Sequence, residues 1–478
     1  MRVACAVPLL VLAGCAVGPN FHRPAAPKVS GYTPGAAPKD TIDADGRAQR
    51  FLDGADVAAD WWRLFGSRTA STIVALALAN NRSLEAARAN LRRSENLLRA
   101  GYGVFFPQVD AQAAASYQRF SPIRFGVTQP ASQFALYTAS GSVSYLVDLW
   151  GGERRQVESL SAQADAERYT LVGAQIMLAG NAIDTLIARA GYAAQRDATR
   201  ATVELQREQL SITEAQARAG LVPFTNVLAL ETQVAATEAL LPDLEQRVDE
   251  ASHLLATLMG RTPSEAPTPD LALTDFTLPE NVPVSLPSKL VRQRADILVA
   301  EAQLHAANAQ IGVATAAMLP NLTLSADIGT NAVSLANLFS SNSLFWGLTG
   351  GLTAPIFHGG ALLHQRAAAV DARDAALASY QQTVLGAFEQ VADVLRALEH
   401  DAQALRARKE GVDSAEHALG LILANYRAGV ANYLQVIVMN QQYLQAKIAY
   451  LQSVAQRLQD TVALYVALGG GWWNTKGT

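Results

Sequence analysis

Cysteine and histidine are the side chains best suited to covalent and metal chemistry, and this sequence has two of the first and seven of the second. The histidines stand at 22, 253, 305, 358, 364, 400 and 417, too scattered for a zinc-binding HExxH, and His358 with His364 is an incidental pair. No GxSxG, phosphate-loop lysine motif or CxxC occurs, so an enzyme has little to stand on. Cys5 and Cys15 both lie at the N-terminus, where Met1-Arg2 precedes an apolar stretch from Val3 to Leu12 and the small residues Ala13-Gly14. One cation, a short apolar core and small residues before a cut describe an export signal. Cys5 would leave with it. The one remaining thiol can form no disulfide within the chain.

Leu12-Ala13-Gly14-Cys15 resembles the lipobox of bacterial lipoproteins. That resemblance implies removal of residues 1–14 and acylation of Cys15, a covalent lipid and no other cofactor. Acyl chains contribute ~0.8 kcal/mol per buried CH₂, so several together anchor a protein stably. Lipoprotein sorting retains chains with Asp after the cysteine in the inner membrane; Ala16 therefore favours the outer one.

The elements behind these residues come in two copies. Pro107 corresponds to Pro320, Gly151-Gly152 to Gly359-Gly360, the run from Ala217 to the run from Tyr426, and Gly260 to Gly469, at offsets of 213, 208, 209 and 209. The reading is a tether over 15–60, a first repeat over 61–262, a linker over 263–288 and a second repeat over 289–478. The stretch Thr262–Pro287 holds six of the 19 prolines. Each repeat predicts two strands and a long helix: strands near 108–120 and 134–150 with a helix over 153–218, then 320–332 and 344–357 with a helix over 361–427. No proline occurs from Ala131 to Val222, nor after Pro355. Sixty-six residues of helix span on the order of 100 Å. Such a helix must lie against partner helices in a coiled-coil-like bundle, and small residues such as Ala164, Ala179 and Ala193 allow close approach. Pro242 interrupts the shorter helix of the first repeat where the second has Leu451, so one helix of the pair should kink.

The strands alternate. Leu322, Leu324, Ala326 and Ile328 share a face opposite Asn321, Thr323, Ser325 and Asp327, and Val143, Tyr145 and Val147 oppose Ser142 and Ser144, with Leu146 an exception. Each segment is long enough to cross a bilayer as a tilted strand, although a soluble half-buried sheet would alternate in the same way. Half the chain is apolar, 17% is charged and the net charge is −4, which argues against disorder and against nucleic acid as a partner. Outside the N-terminus no unbroken apolar run reaches the ~18–20 residues of a spanning helix, which excludes a multi-span helical protein. Lipid cannot satisfy a sheet edge, so membrane strands must close into a barrel. Four are too few. Three chains would supply twelve.

The blocks "GCAVGPNFHRP", "DWWRLFG" (Asp60–Gly66), "ALANNRSLEAARANL" (Ala77–Leu91), Arg292–Gly329 and "YVALGGGW" resemble the TolC-like outer membrane factors, outer-membrane efflux proteins, and in particular their NodT-type lipoprotein branch. The resemblance covers nearly the whole mature chain. It implies an α+β membrane protein: a homotrimer with a twelve-stranded transmembrane β-barrel, four strands per chain, continuous with a long periplasmic α-helical barrel. It implies the outer membrane of a Gram-negative bacterium and, as partners, a periplasmic adaptor (membrane fusion protein), an inner-membrane pump of the RND type and outer-membrane lipid. The function it implies is efflux of drugs or other small molecules. A protein-secretion duct and a non-conducting coiled-coil spacer are the alternatives.

On that reading the turns Arg218-Ala219-Gly220 and Arg427-Ala428-Gly429 are the tips that adaptors grip. Family members carry two aspartates just beyond the tip, narrowing the periplasmic aperture. Here Gln435 and Val438 stand in those places, with Asn226 and Ala229 in the first repeat, and Glu231 and Asn440 nearby. The closed aperture should then be held by packing and neutral hydrogen bonds. Trp61-Trp62 are read as packing near the equator of the helices rather than as a membrane belt, and for Trp472-Trp473 both readings stay open.

Overall fold

A computed structural model describes residues 16–29, 31–34, 39–266 and 269–474. In chain order these form β1 (Arg50–Asp53), α1 (Arg68–Asn80), α2 (Arg82–Gly101), β2 (Gln108–Phe120), β3 (Ser132–Val147), α3 (Gly152–Arg218), α4 (Phe224–Glu238) and α5 (Leu241–Leu258). They continue as β4 (Asn281–Val284), α6 (Pro287–Gln293), α7 (Ala295–Ala316), β5 (Asn321–Ala332), β6 (Leu344–Thr353), α8 (Ala361–Arg427) and α9 (Tyr433–Ala467). Contacts divide the chain into two compact units that cut across both repeats. Each repeat sends its strands to one unit and the distal part of its long helix to the other, so a repeat in sequence is not a body in space.

The first unit holds one antiparallel sheet of order β2-β3-β5-β6. Its register places Val109, Val143, Ala326 and Leu348 in one row across the strands, and Asp110, Ser142, Asp327 and Gly347 in the next. Because neighbouring rows point to opposite sides, one face is apolar and the other polar. β3 stops at Val147 because the Asp148 carboxylate accepts from the backbone N–H groups of Glu153 and Arg154, at 3.2 and 3.1 Å, and starts α3. β6 stops at Thr353, ahead of Pro355, which cannot donate to a ladder.

The same unit clamps residues 16–24. Arg155, 4% exposed, donates to the carbonyls of Val17 and Gly18 and to Asn20 Oδ1. Asn308 donates to the Pro19 carbonyl, Arg23 pairs with Glu301 at 2.6 Å, and Phe21 stacks on His305 at 4.3 Å. Gly18, at φ +88°, lies so near Gly312 that a Cβ would stand 2.5 Å from its Cα.

In the second unit the long helices approach closely at two glycines: a Cβ on Gly180 would meet Val466 at 2.7 Å, and one on Gly191 would meet Ala455 at 3.2 Å. Trp61 is 1% exposed and stacks on Tyr465 at 5.3 Å, with Phe65 edge-on, inside a core built from Ile183, Leu186, Ile187, Leu255 and Leu290. One stretch of α3 is apolar enough over its length to pass for a membrane helix. Its residues Leu178, Ile183, Leu186 and Ile187 are instead buried in protein. At Pro242 the chain breaks into α4 and α5, whereas α9 runs unbroken for 35 residues.

Two segments differ from the sequence reading. The tether is not loose throughout: β1 pairs in parallel with β4 of the Pro-rich linker, and Phe51 and Val57 are core residues. The linker likewise buries Leu271, Leu273, Phe276, Leu278 and Val282. Both strands are four residues long, and Pro283 within β4 does not prevent its burial.

Candidate functional site: the helix tips and the two-faced sheet

Both tips end in the same hydrogen-bonded cap. The N–H of Leu221 donates to the Gln216 carbonyl at 2.9 Å and that of Gly220 to Ala217 at 3.0 Å, with Gly220 at φ +71°. The second tip repeats this with Val430 to Asn425 and Gly429 to Tyr426, Gly429 at φ +75°. These are Schellman motifs, in which glycine takes the left-handed position cheaply. Arg218 and Arg427 close the helices, and Ala219 and Ala428 follow as the cap residues. The residue after each glycine usually folds back onto its helix. Here Leu221 and Val430 are 74% and 79% exposed.

Beyond the tips the repeats diverge. Asn432 and Gln435 form a capping box, Gln435 N–H on Asn432 Oδ1 at 3.0 Å and Asn432 N–H on Gln435 Oε1 at 3.1 Å. The N-x-x-Q spacing could have announced it. α4 begins after Pro223 with no side-chain cap, and the N–H of Asn226 donates to the Pro223 carbonyl. Glu231, Gln435 and Val438 are exposed, and Asn226 and Ala229 half-buried. Asn440 does not belong with them: it is 1% exposed and donates to Gln209 Oε1 on α3 at 2.8 Å. Seven residues past Tyr433, the helical period turns it inward.

Sequence reasoning missed the surface that Asn440 meets. Gln195, Thr199, Thr202, Gln206, Gln209 and Thr213 are all buried, spaced alternately by four and three along α3. That is a heptad seam filled with polar residues. Gln452 donates to Gln195 at 3.2 Å, and the Tyr426 hydroxyl lies 2.9 Å from Thr213 Oγ1. Both side-chain polar atoms of Gln206 are enclosed without a partner. Arg427 with Glu208, at 3.9 Å and about 60% exposed on each side, adds charge across α8 and α3, worth under ~1 kcal/mol.

In the first unit, β2 and β6 each pair on one side only. Leu348, Leu352 and Trp346 on β6 are 78%, 69% and 75% exposed, and Val109 on β2 73%. A soluble protein does not leave a sheet face of this kind open to water.

The family model for outer membrane efflux proteins matches residues 73–261 and again 286–470. The chain belongs to that family.

The relatives of this efflux channel include the pyoverdine export outer membrane protein OpmQ of Pseudomonas putida, 30% identical over 86% of this chain and 88% of that one. The solvent efflux pump outer membrane protein SrpC of Pseudomonas putida is 30% identical over 97% of each chain. Among solved structures, the outer-membrane channel OprN superposes with a TM-score of 0.85 at 29% identity, over 96% of this chain and 100% of that one. The Campylobacter jejuni CmeC channel shares the fold, with a TM-score of 0.88 at 21% identity over 97% and 96%. The fold is TolC-like, and the protein is a non-enzymatic outer-membrane channel of efflux pumps. Cys15 lies outside the described residues.

Proposed function

We propose that three copies of this channel pool their strands into one twelve-stranded barrel and pass small molecules out of a Gram-negative cell. The observation that carries this reading is the four-stranded sheet with one apolar face, one polar face and two open edges. Hydrocarbon tolerates neither open edge, so β6 of one copy pairs with β2 of the next, apolar rows outward and polar rows around water. The non-conducting spacer is disfavoured because it needs no such sheet. Residues 1–14 are removed and Cys15 is acylated. The segment that follows is fixed at the end of β3, where Val17 N–H donates to the Trp150 carbonyl at 2.8 Å, a position suited to a lipid anchor.

The tips Arg218-Ala219-Gly220 and Arg427-Ala428-Gly429 receive the periplasmic adaptor. Leu221 and Val430 offer it apolar side chains that the caps leave free. Asn226, Ala229, Glu231, Gln435 and Val438 line the aperture, and Asn440 supports it from behind. An inner-membrane pump of the RND type delivers the cargo. Relatives named for pyoverdine export and for solvent efflux support low-molecular-weight cargo over protein. Detergent-purified protein should have three times the chain mass and carry current in planar bilayers, and a deletion strain should become sensitive to some members of a panel of antibiotics and aromatic acids. A monomer, or a trimer that never conducts, would overturn the reading.

A further inference from the structure

Two carboxyl groups come together between α8 and α9, and Gln456 lines the cavity of the one and bonds to the other. Asp401 Oδ2 is enclosed and has no hydrogen-bond partner, and Asp460 lies within hydrogen-bonding reach of the same carboxyl. Asp460 Oδ2 accepts from Gln456 Nε2 at 2.9 Å. The nearby cations do not bond to the pair. Arg408 on α8 donates to Ser453 Oγ and to the Ala449 carbonyl. Arg457 on α9, 2% exposed, donates to four neutral oxygens, those of Gln49 Oε1, Ala44, Thr41 Oγ1 and Arg47. From α3, Asp184 adds a third acid beside Asp460, bonded to Gln459. From α5, Arg247 lines the same cavity of about 430 Å³ as Asp401 and lies over the Tyr192 ring. Asp43 and Asp45 of the N-terminal segment act on Arg457.

Two facing acceptors attract only with a proton between them; ionised together, they repel. We propose that Asp401 and Asp460 form one proton-binding site that ties α8 to α9 when occupied and loosens that joint when empty. The pair lies about 26 residues from the tip on either helix, roughly 40 Å along the hairpin. A proton there acts on the lever that carries Arg427 and Asn432.

Burial first, and the Asp460 carboxyl second, push Asp401 up from 3.8 to about 7, against the pull of Arg457 and Arg408. Because the folded value is the higher one, the site's contribution to stability is complete below about pH 4. It is lost as pH rises through about 7, and is constant beyond.

Infrared difference spectra of the full-length protein in detergent, titrated from about pH 5 to about pH 9, read the proton directly. Wild type should show the carbonyl band of a neutral carboxylic acid vanishing near neutrality, and Asp401→Asn should lack it. Hydrogen exchange around residues 401 and 460, corrected for its intrinsic pH dependence, should accelerate several-fold above neutrality in wild type and not in the variant. If Asp401→Asn fails to fold, Asp460→Asn serves, because its amide can donate to Asp401 and should move the band's loss to lower pH. No neutral-acid band in wild type, or an unchanged band in the variant that folds, would overturn the proposal.

Discussion

At residue scale, single side chains decide what the N-terminal segment and the region beyond the tips do. Gly18 exists for contact: at φ +88° and with Gly312 2.5 Å from where its Cβ would be, no other residue fits without movement. Gly18→Ala should lift residues 16–24 from α3 and α7, a left-handed alanine alone costing ~1–2 kcal/mol. Hydrogen exchange at Asn20 to Arg23 should then quicken while the global melting temperature barely moves. Beyond the second tip, Gln435 is committed to the capping box and Val438 is apolar, so neither supplies a negative charge. Multivalent cations added from the periplasmic side should block the channel only weakly. Strong block removed by Glu231→Gln would instead locate an acidic ring at Glu231, one residue among those proposed for the aperture.

At element scale, α3 changes character along its length. Its middle, around Ile183 to Ile187, is bound by apolar burial in the core with Trp61 and Tyr465. Toward the tip the buried seam becomes Gln206, Gln209 and Thr213, and hydrogen bonds replace hydrophobic contact. Each such bond contributes ~0.5–1.5 kcal/mol net, and an enclosed amide without partners costs ~1–3 kcal/mol. The distal hairpin is therefore held less tightly than the middle of the helix, a property suited to an aperture that opens. Gln206→Leu, which fills the same volume without polar atoms, should raise the melting temperature and lower the channel's open probability in bilayers. A variant that is less stable, or that opens as often as wild type, would show that the seam does not set the tip's mobility.

At the scale of the whole molecule, the decisive feature is incompleteness. A sheet with an apolar face, a polar face and two unpaired edges is finished only by other copies of itself, and the assembly proposed above is what that requirement selects. The chain's own two units divide the work between a sheet that meets lipid and helices that meet one another.

Local periodicity already settled much of this in the sequence. Alternation in Leu322 to Ile328, the proline-free runs and the break at Pro242 each act over a few residues, so their consequence could be read in place. What the tertiary structure decided comes from partners far apart along the chain. Gln49 meets Thr461, 412 residues away; β1 meets β4; Asn440 finds Gln209 across 231 residues. Asp401 and Asp460 look like ordinary surface acids until α8 and α9 are laid side by side. Burial and pairing are properties of surroundings, and only the folded chain supplies the surroundings.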